Sequence, residues 1–154
     1  KPRLKRSAAS NIQPMRIAHE NDLKGKRLAG KIDRVLVDAP CSGLGTLRRS
    51  PDLKFRQSPG SIEEVTRKQA AILASASRLL KNGGRLVYAT CSFLPEENQH
   101  IVQAFLAAHP DFALRPASAV LQQQKITLET GDFLELRPHL HGTDGFFAAV
   151  LDRT

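Results

Sequence analysis

Asp38-Ala39-Pro40-Cys41-Ser42-Gly43 and Thr90-Cys91-Ser92 each stand where an apolar run stops, and between them they hold both cysteines of the 154-residue chain. Arg34-Val35-Leu36-Val37 leads into the first and Arg85-Leu86-Val87-Tyr88-Ala89 into the second. Both runs are short, bulky and apolar on consecutive positions, the pattern of strands covered on both faces of a parallel sheet. Ligands of open parallel sheets sit in the crevice beyond the carboxyl ends of the strands. A polar residue followed by a thiol at that place, twice over, marks a candidate site. Neighbouring strands run roughly 4.8 Å apart, so both sulfurs could reach one substrate ring.

A hydrophobic content of 41% and a charged content of 25% are those of an ordinary globular domain, and the length suits one domain with a real core. No apolar run approaches the length of a membrane helix, and no secretory signal is recognisable. The opening Lys1-Pro2-Arg3-Leu4-Lys5-Arg6 lacks a Met and reads as a cut inside a longer protein. The net charge is +8, from 23 Lys and Arg against 15 Asp and Glu. Such an excess favours polyanions, RNA or DNA first and anionic lipid second. Two cysteines make no disulfide framework, and neither belongs to a Cys-x-x-Cys or Cys/His cluster, so no metal is expected. A reducing, cytoplasmic setting with reactive thiols fits them.

The basic opening segment to Asn11 is compatible with a helix. Met15-Arg16-Ile17-Ala18-His19 has the pattern of a short strand, ending at Glu20-Asn21-Asp22. After Cys41, the stretch from Leu47 to Arg56 is a polar, Pro-broken loop with four cations, Arg48, Arg49, Lys54 and Arg56, and one aromatic. A solvated surface face is the bland reading of such a run. Its place beside Cys41 points instead to phosphate contacts. Ser61-Ile62-Glu63-Glu64 fits a capping box. Val65, Ile72, Leu73, Ala76, Leu79 and Leu80 then fall on one helical face, and Lys81-Asn82-Gly83-Gly84 supplies the stop. The unit reads strand, helix, strand, with the usual right-handed crossover. Pro95-Glu96-Glu97 resembles a second helix start, with Ile101, Val102, Phe105 and Leu106 as its stripe. Phe112-Ala113-Leu114 is a candidate strand, and residues 117–131 show no clear pattern. Phe133-Leu134-Glu135-Leu136 and Phe146 to Leu151 read as an antiparallel pair at the sheet edge. Tyr88 reads as core, and His139 and His141, without a partner cluster, as loop structure.

A cysteine after a strand is more often a small buried hydrophobe than a reactive group. Pro40, Ser42 and Gly43 around Cys41 suggest a tight turn instead. Cys91 stands just upstream of a predicted helix start, whose partial positive charge would favour the thiolate. Two thiols and Asp38 at one sheet edge can perform covalent catalysis. A redox pair is the competing use, but it usually takes the form Cys-x-x-Cys.

These two stretches, with the Arg49 to Lys54 segment and Pro95-Glu96-Glu97-Asn98, resemble the Sun family of S-adenosylmethionine-dependent RNA cytosine-C5 methyltransferases, most closely the bacterial ribosomal RNA members. His141-Gly142-Thr143-Asp144-Gly145-Phe146-Phe147 resembles that family's carboxyl-terminal segment. The resemblance implies a partial Rossmann-like α/β methyltransferase fold: a mostly parallel sheet, helices on both faces and an antiparallel C-terminal strand pair. It implies that Cys91 is the nucleophile that adds to carbon 6 of cytosine, making carbon 5 able to take a methyl group. Cys41 would help break the adduct, and Asp38 would touch both the base edge and the cofactor. Asp22 falls where the family places an acid near the cofactor's adenine, a match of position more than of motif. The partner implied is RNA, with ribosomal RNA foremost.

The family's glycine-rich cofactor loop and its ribose-binding acid do not occur in these residues, nor does the RNA-binding domain of bacterial members. Residues 1–154 are therefore expected to be the C-terminal portion of one catalytic domain, binding S-adenosylmethionine poorly and inactive alone. An open apolar edge near Val35 to Val37 is expected to seek a partner, by self-association or with a companion fragment. Two other readings stand beside this one. The chain could be a non-catalytic RNA-binding module, or a DNA cytosine-C5 methyltransferase with Cys41 as nucleophile.

Overall fold

The computed structural model describes Arg6 and residues 9–154. The helical reading of the opening segment falls largely on residues outside these. After a one-turn helix α1 (Leu23–Lys26) comes β1 (Ile32–Asp38). The loop beyond it carries a 3-10 turn (Leu44–Thr46), a short α2 (Leu53–Arg56) and the long α3 (Pro59–Ser77). β2 (Leu80–Thr90) lies parallel to β1, with Val37 opposite Tyr88 and Asp38 opposite Ala89. A second 3-10 turn (Pro95–Glu97), α4 (Gln99–Ala108) and β3 (Phe112–Arg115) follow, then α5 (Ala117–Gln123), β4 (Leu134–Leu136), α6 (Pro138–His141) and β5 (Phe146–Arg153).

The sheet order is β1-β2-β5-β3, with β4 also on β5. β5 runs antiparallel to β2, β3 and β4. Four strands thus point one way and β5 alone runs back, as a mostly parallel α/β sheet with an antiparallel C-terminal pair requires. β4, paired with β5 alone among the described strands, lies at an edge, but β5 does not. Residues 147–151 of β5 are all buried, and a strand covered on both faces belongs inside a sheet. Asp152 locks this placement. Its carboxylate accepts from Arg85 Nε on β2 at 2.6 Å and Arg115 Nε on β3 at 2.5 Å. Burial pushes that carboxyl up, but the two guanidiniums outweigh it and hold the group below its usual range.

One core joins Leu73 of α3 and Ile101, Val102 and Phe105 of α4 to Leu86, Tyr88, Phe147, Ala149 and Leu151 of the sheet. Each fully buried leucine there contributes about 1.5–3 kcal/mol. Both long helices lie on this face, and the short α5 also contacts β5. On the opposite face of β1, Leu36 is 71% exposed. The consecutive apolar run of β1 therefore lacks the two-sided cover that its sequence suggests, whereas that of β2 has it.

Three local expectations are corrected. Met15 to His19 is not a strand. α3 starts a turn earlier than predicted, because Pro59 is preset for the first helical position and Ser58 forms the capping box with Ser61. Its end is earlier too. Leu80 is fully buried core at the start of β2, so Lys81 to Gly84 is an irregularity inside the strand, with Gly83 at φ +75° and a register shift against β1.

β1 ends the sheet, its far edge unpaired among the described residues, with Leu36 bare beside it. The 154-residue chain is expected to self-associate through this edge, and Leu36→Lys to reduce the effect. A single monomer mass by light scattering at high concentration contradicts it.

Candidate active site

The parallel register of β1 and β2 carries both cysteines to the same end of the sheet. Cys41 Sγ and Cys91 Sγ stand 3.2 Å apart, each thiol free and half-buried. Burial first, and then the hydrogen bond with Cys91, push the Cys41 thiol up to about 12. Cys41 therefore keeps its proton at neutral pH, and either sulfur can donate in this contact. The Cys41 thiol stands in direct contact with Cys91, whereas α4 begins only at Gln99.

Sequence reasoning missed the group that holds the thiols together. Glu97, read as a first-turn acid, is fully buried. Its Oε1 accepts from Ser42 N (2.8 Å) and Gln69 Nε2 (3.0 Å), and its Oε2 from Ser42 Oγ and Ser92 Oγ, both at 2.5 Å. Ser42 follows Cys41 and Ser92 follows Cys91, so one carboxylate grips the residue beside each sulfur. Around it, Gln69 Nε2 also donates to Pro40 O, and Gln57 Nε2 to Ser42 O. The Tyr88 hydroxyl, raised by burial and so a standing donor, reaches Glu97 O at 2.7 Å. Thr90 Oγ1 donates to Asn98 Oδ1, whose Nδ2 donates to Ser92 O. One signal was legible. Gln69 falls in the apolar stripe of α3, four residues from both Val65 and Leu73, where a polar side chain needs a buried partner.

The segment from Gly142 to Phe147 closes the same site. Gly45 N donates to Cys91 O, and Gly145 N to Gly45 O at 2.7 Å. A Cβ on Gly45 would lie 2.3 Å from Gly145 O and 2.7 Å from Cys91 O. Only glycine allows the three backbones to meet.

The other predicted residues are placed as follows. Asp38 ends β1 with an exposed carboxylate that no described group pairs. Asp22 caps α1, accepting from Lys24 N and Ala18 N at 2.9 Å each, and these backbone bonds hold its carboxyl low. The structure thus gives Asp22 a structural task. Arg48 and Arg49, both exposed, reach the C-terminal segment. Arg48 Nη1 donates to Gly142 O at 2.6 Å and Arg49 Nη2 lies 3.0 Å from Asp144 Oδ2, docking the loop onto the C-terminal segment. Arg56 pairs with Asp52 in an exposed bridge, a kind that contributes little. Lys54 lies over Phe55, 4.8 Å from the ring centre, and Phe55 is itself 81% exposed.

A largely parallel sheet with one reversed strand, carrying two touching thiols and a free carboxylate at its strand ends, defines a methyltransferase-type α/β domain. Residues 3–152 match the 16S rRNA methyltransferase RsmB/F family. The chain is 43% identical over 122 residues to the probable ribosomal RNA small subunit methyltransferase B of Synechocystis, covering 79% of this chain and 27% of that protein. It is 48% identical over 123 residues to ribosomal RNA small subunit methyltransferase B of Sodalis glossinidius, covering 77% and 25%. The crystal structure of NSun6 from Pyrococcus horikoshii with SFG, an S-adenosylmethionine analogue, superposes with a TM-score of 0.79 at 29% identity, over 99% of this chain and 37% of that one. The chain belongs to the RsmB/F family, one of S-adenosylmethionine-dependent RNA methyltransferases. It spans about a quarter of the length of those two curated relatives.

Gly45→Ala is expected to cost at least about 2 kcal/mol, because the atoms it meets are backbone and cannot turn aside. Urea unfolding midpoints of the two proteins measure it.

Proposed function

We propose that this chain carries the covalent half of an RNA cytosine-C5 methyltransferase, with ribosomal RNA as substrate. The observation that carries the reading is the 3.2 Å contact between Cys41 and Cys91 at one sheet edge. Asp38 suits the cofactor by its chemistry, since an unpaired carboxylate at a strand end can accept from the ammonium or hydroxyl groups of S-adenosylmethionine. When bound, that cofactor supplies an electrophilic methyl group. Cys91, steadied as thiolate by the Cys41 thiol, adds to carbon 6 of a cytosine turned out of its stack. Asp38 orients the ring edge as charge develops on it. Once carbon 5 is methylated, its proton passes to water, the carbon 6–sulfur bond breaks and the electron pair returns to Cys91. The Cys41 thiol donates to that departing sulfur, which is how it speeds release.

Lys54 and Arg56 supply the phosphate contacts in this reading, with Arg48 and Arg49 shaping the loop. The raised Cys41 thiol speaks against Cys41 as nucleophile, and so against the DNA-type alternative. A non-catalytic RNA-binding module would have no need to hold two thiols in contact.

With the full-length protein and 5-fluorocytosine RNA, the parent and Cys41→Ser are expected to form a denaturant-stable adduct and Cys91→Ser none. An adduct that survives Cys91→Ser but not Cys41→Ser overturns the assignment.

A further inference from the structure

Within the described residues, Glu97 is the one side chain that accepts from both serines flanking the cysteines. Cys41 is bracketed closely by this network. Gln69 holds Pro40 O on one side of it, and Glu97 and Gln57 hold the amide, hydroxyl and carbonyl of Ser42 on the other. Cys91 is fixed by Ser92, whose hydroxyl, amide and carbonyl bind Glu97, Thr90 and Asn98 respectively. A buried carboxylate is a costly way to join two loops when apolar packing would serve. What it adds is register. Each hydroxyl is held at one oxygen, and each sulfur lies a single peptide bond from that hydroxyl's residue.

We infer that Glu97 is a positioning residue for adduct breakdown: by holding Ser42 and Ser92 on one carboxylate, it keeps the Cys41 thiol in hydrogen-bond reach of Cys91. This inference rests on the covalent reading above. In the breakdown step, the carbon 5–hydrogen pair becomes the ring double bond as the carbon 6–sulfur pair returns to Cys91 and the proton goes to water. The Cys41 S–H only donates to the leaving sulfur and is not consumed. If Cys41 drifts away, addition of Cys91 to the ring continues while release slows. The adduct then accumulates.

The test uses the full-length enzyme, S-adenosylmethionine and RNA with ordinary cytosine, quenched in denaturant. Glu97→Gln is expected to lower turnover roughly tenfold while raising the trapped adduct severalfold above the parent, in the direction of Cys41→Ser. A loss of packing alone would lower adduct and turnover together. If Glu97→Gln does not fold by circular dichroism, Ser42→Ala, which deletes one hydroxyl donor, is judged by the same criterion. Unchanged adduct, or adduct that falls with turnover, overturns the inference. A parent that fails to trap 5-fluorocytosine RNA overturns the covalent reading and this inference with it. A parent that traps normally beside a variant that does not accumulate adduct overturns this inference alone.

Discussion

The structure depends on a carboxylate taken out of water. Glu97 is fully buried and accepts from four donors contributed by two loops and a helix. Such a group is tolerable only while its partners stay in place, and removing them from a buried charge costs about 3–5 kcal/mol. That penalty makes the loop after β1, the loop after β2 and the face of α3 a single unit. The contact of Gly45 with Gly145 ties in the C-terminal segment through backbone alone. Four stretches far apart in sequence thereby converge on one place at the carboxyl ends of β1 and β2.

Two chemically identical side chains meet inside this frame. Cys41 is raised by its burial and keeps its proton, 3.2 Å from Cys91. The free carboxylate of Asp38 stands three residues before Cys41, on the side of the site open to solvent. The basic loop serves the frame first. Arg48 and Arg49 fasten it to Gly142 and Asp144, and its remaining cations and the bare ring of Phe55 face outward.

Much of this was legible in the sequence because it rests on local signals. The apolar runs into Cys41 and Cys91, and the polar-then-thiol turn after each, placed both sulfurs at one edge without coordinates. The helical stripe from Val65 to Ala76 and the strand before Arg153 were equally readable. The misses share a physical cause. Glu97 and Pro59 look alike from sequence to any first-turn acid or proline. Burial decides the first, and the neighbouring Ser58 the second. The exposure of Leu36 depends on what lies over β1, which no periodicity records. The contacts of Arg48 and Arg49 with Asp144 have no local signal, since nearly a hundred residues separate them. Gln69 could have been noticed, as a polar side chain inside an apolar stripe.

The central claim is that the buried carboxylate network holds Cys41 and Cys91 in contact in the folded protein. Mild oxidation of the folded full-length protein with diamide, followed by peptide mapping under non-reducing conditions, tests it directly. The expected result is one intramolecular disulfide joining the peptides that contain Cys41 and Cys91. Recovery of both as separate, unlinked peptides, with each thiol modified on its own, would contradict the account.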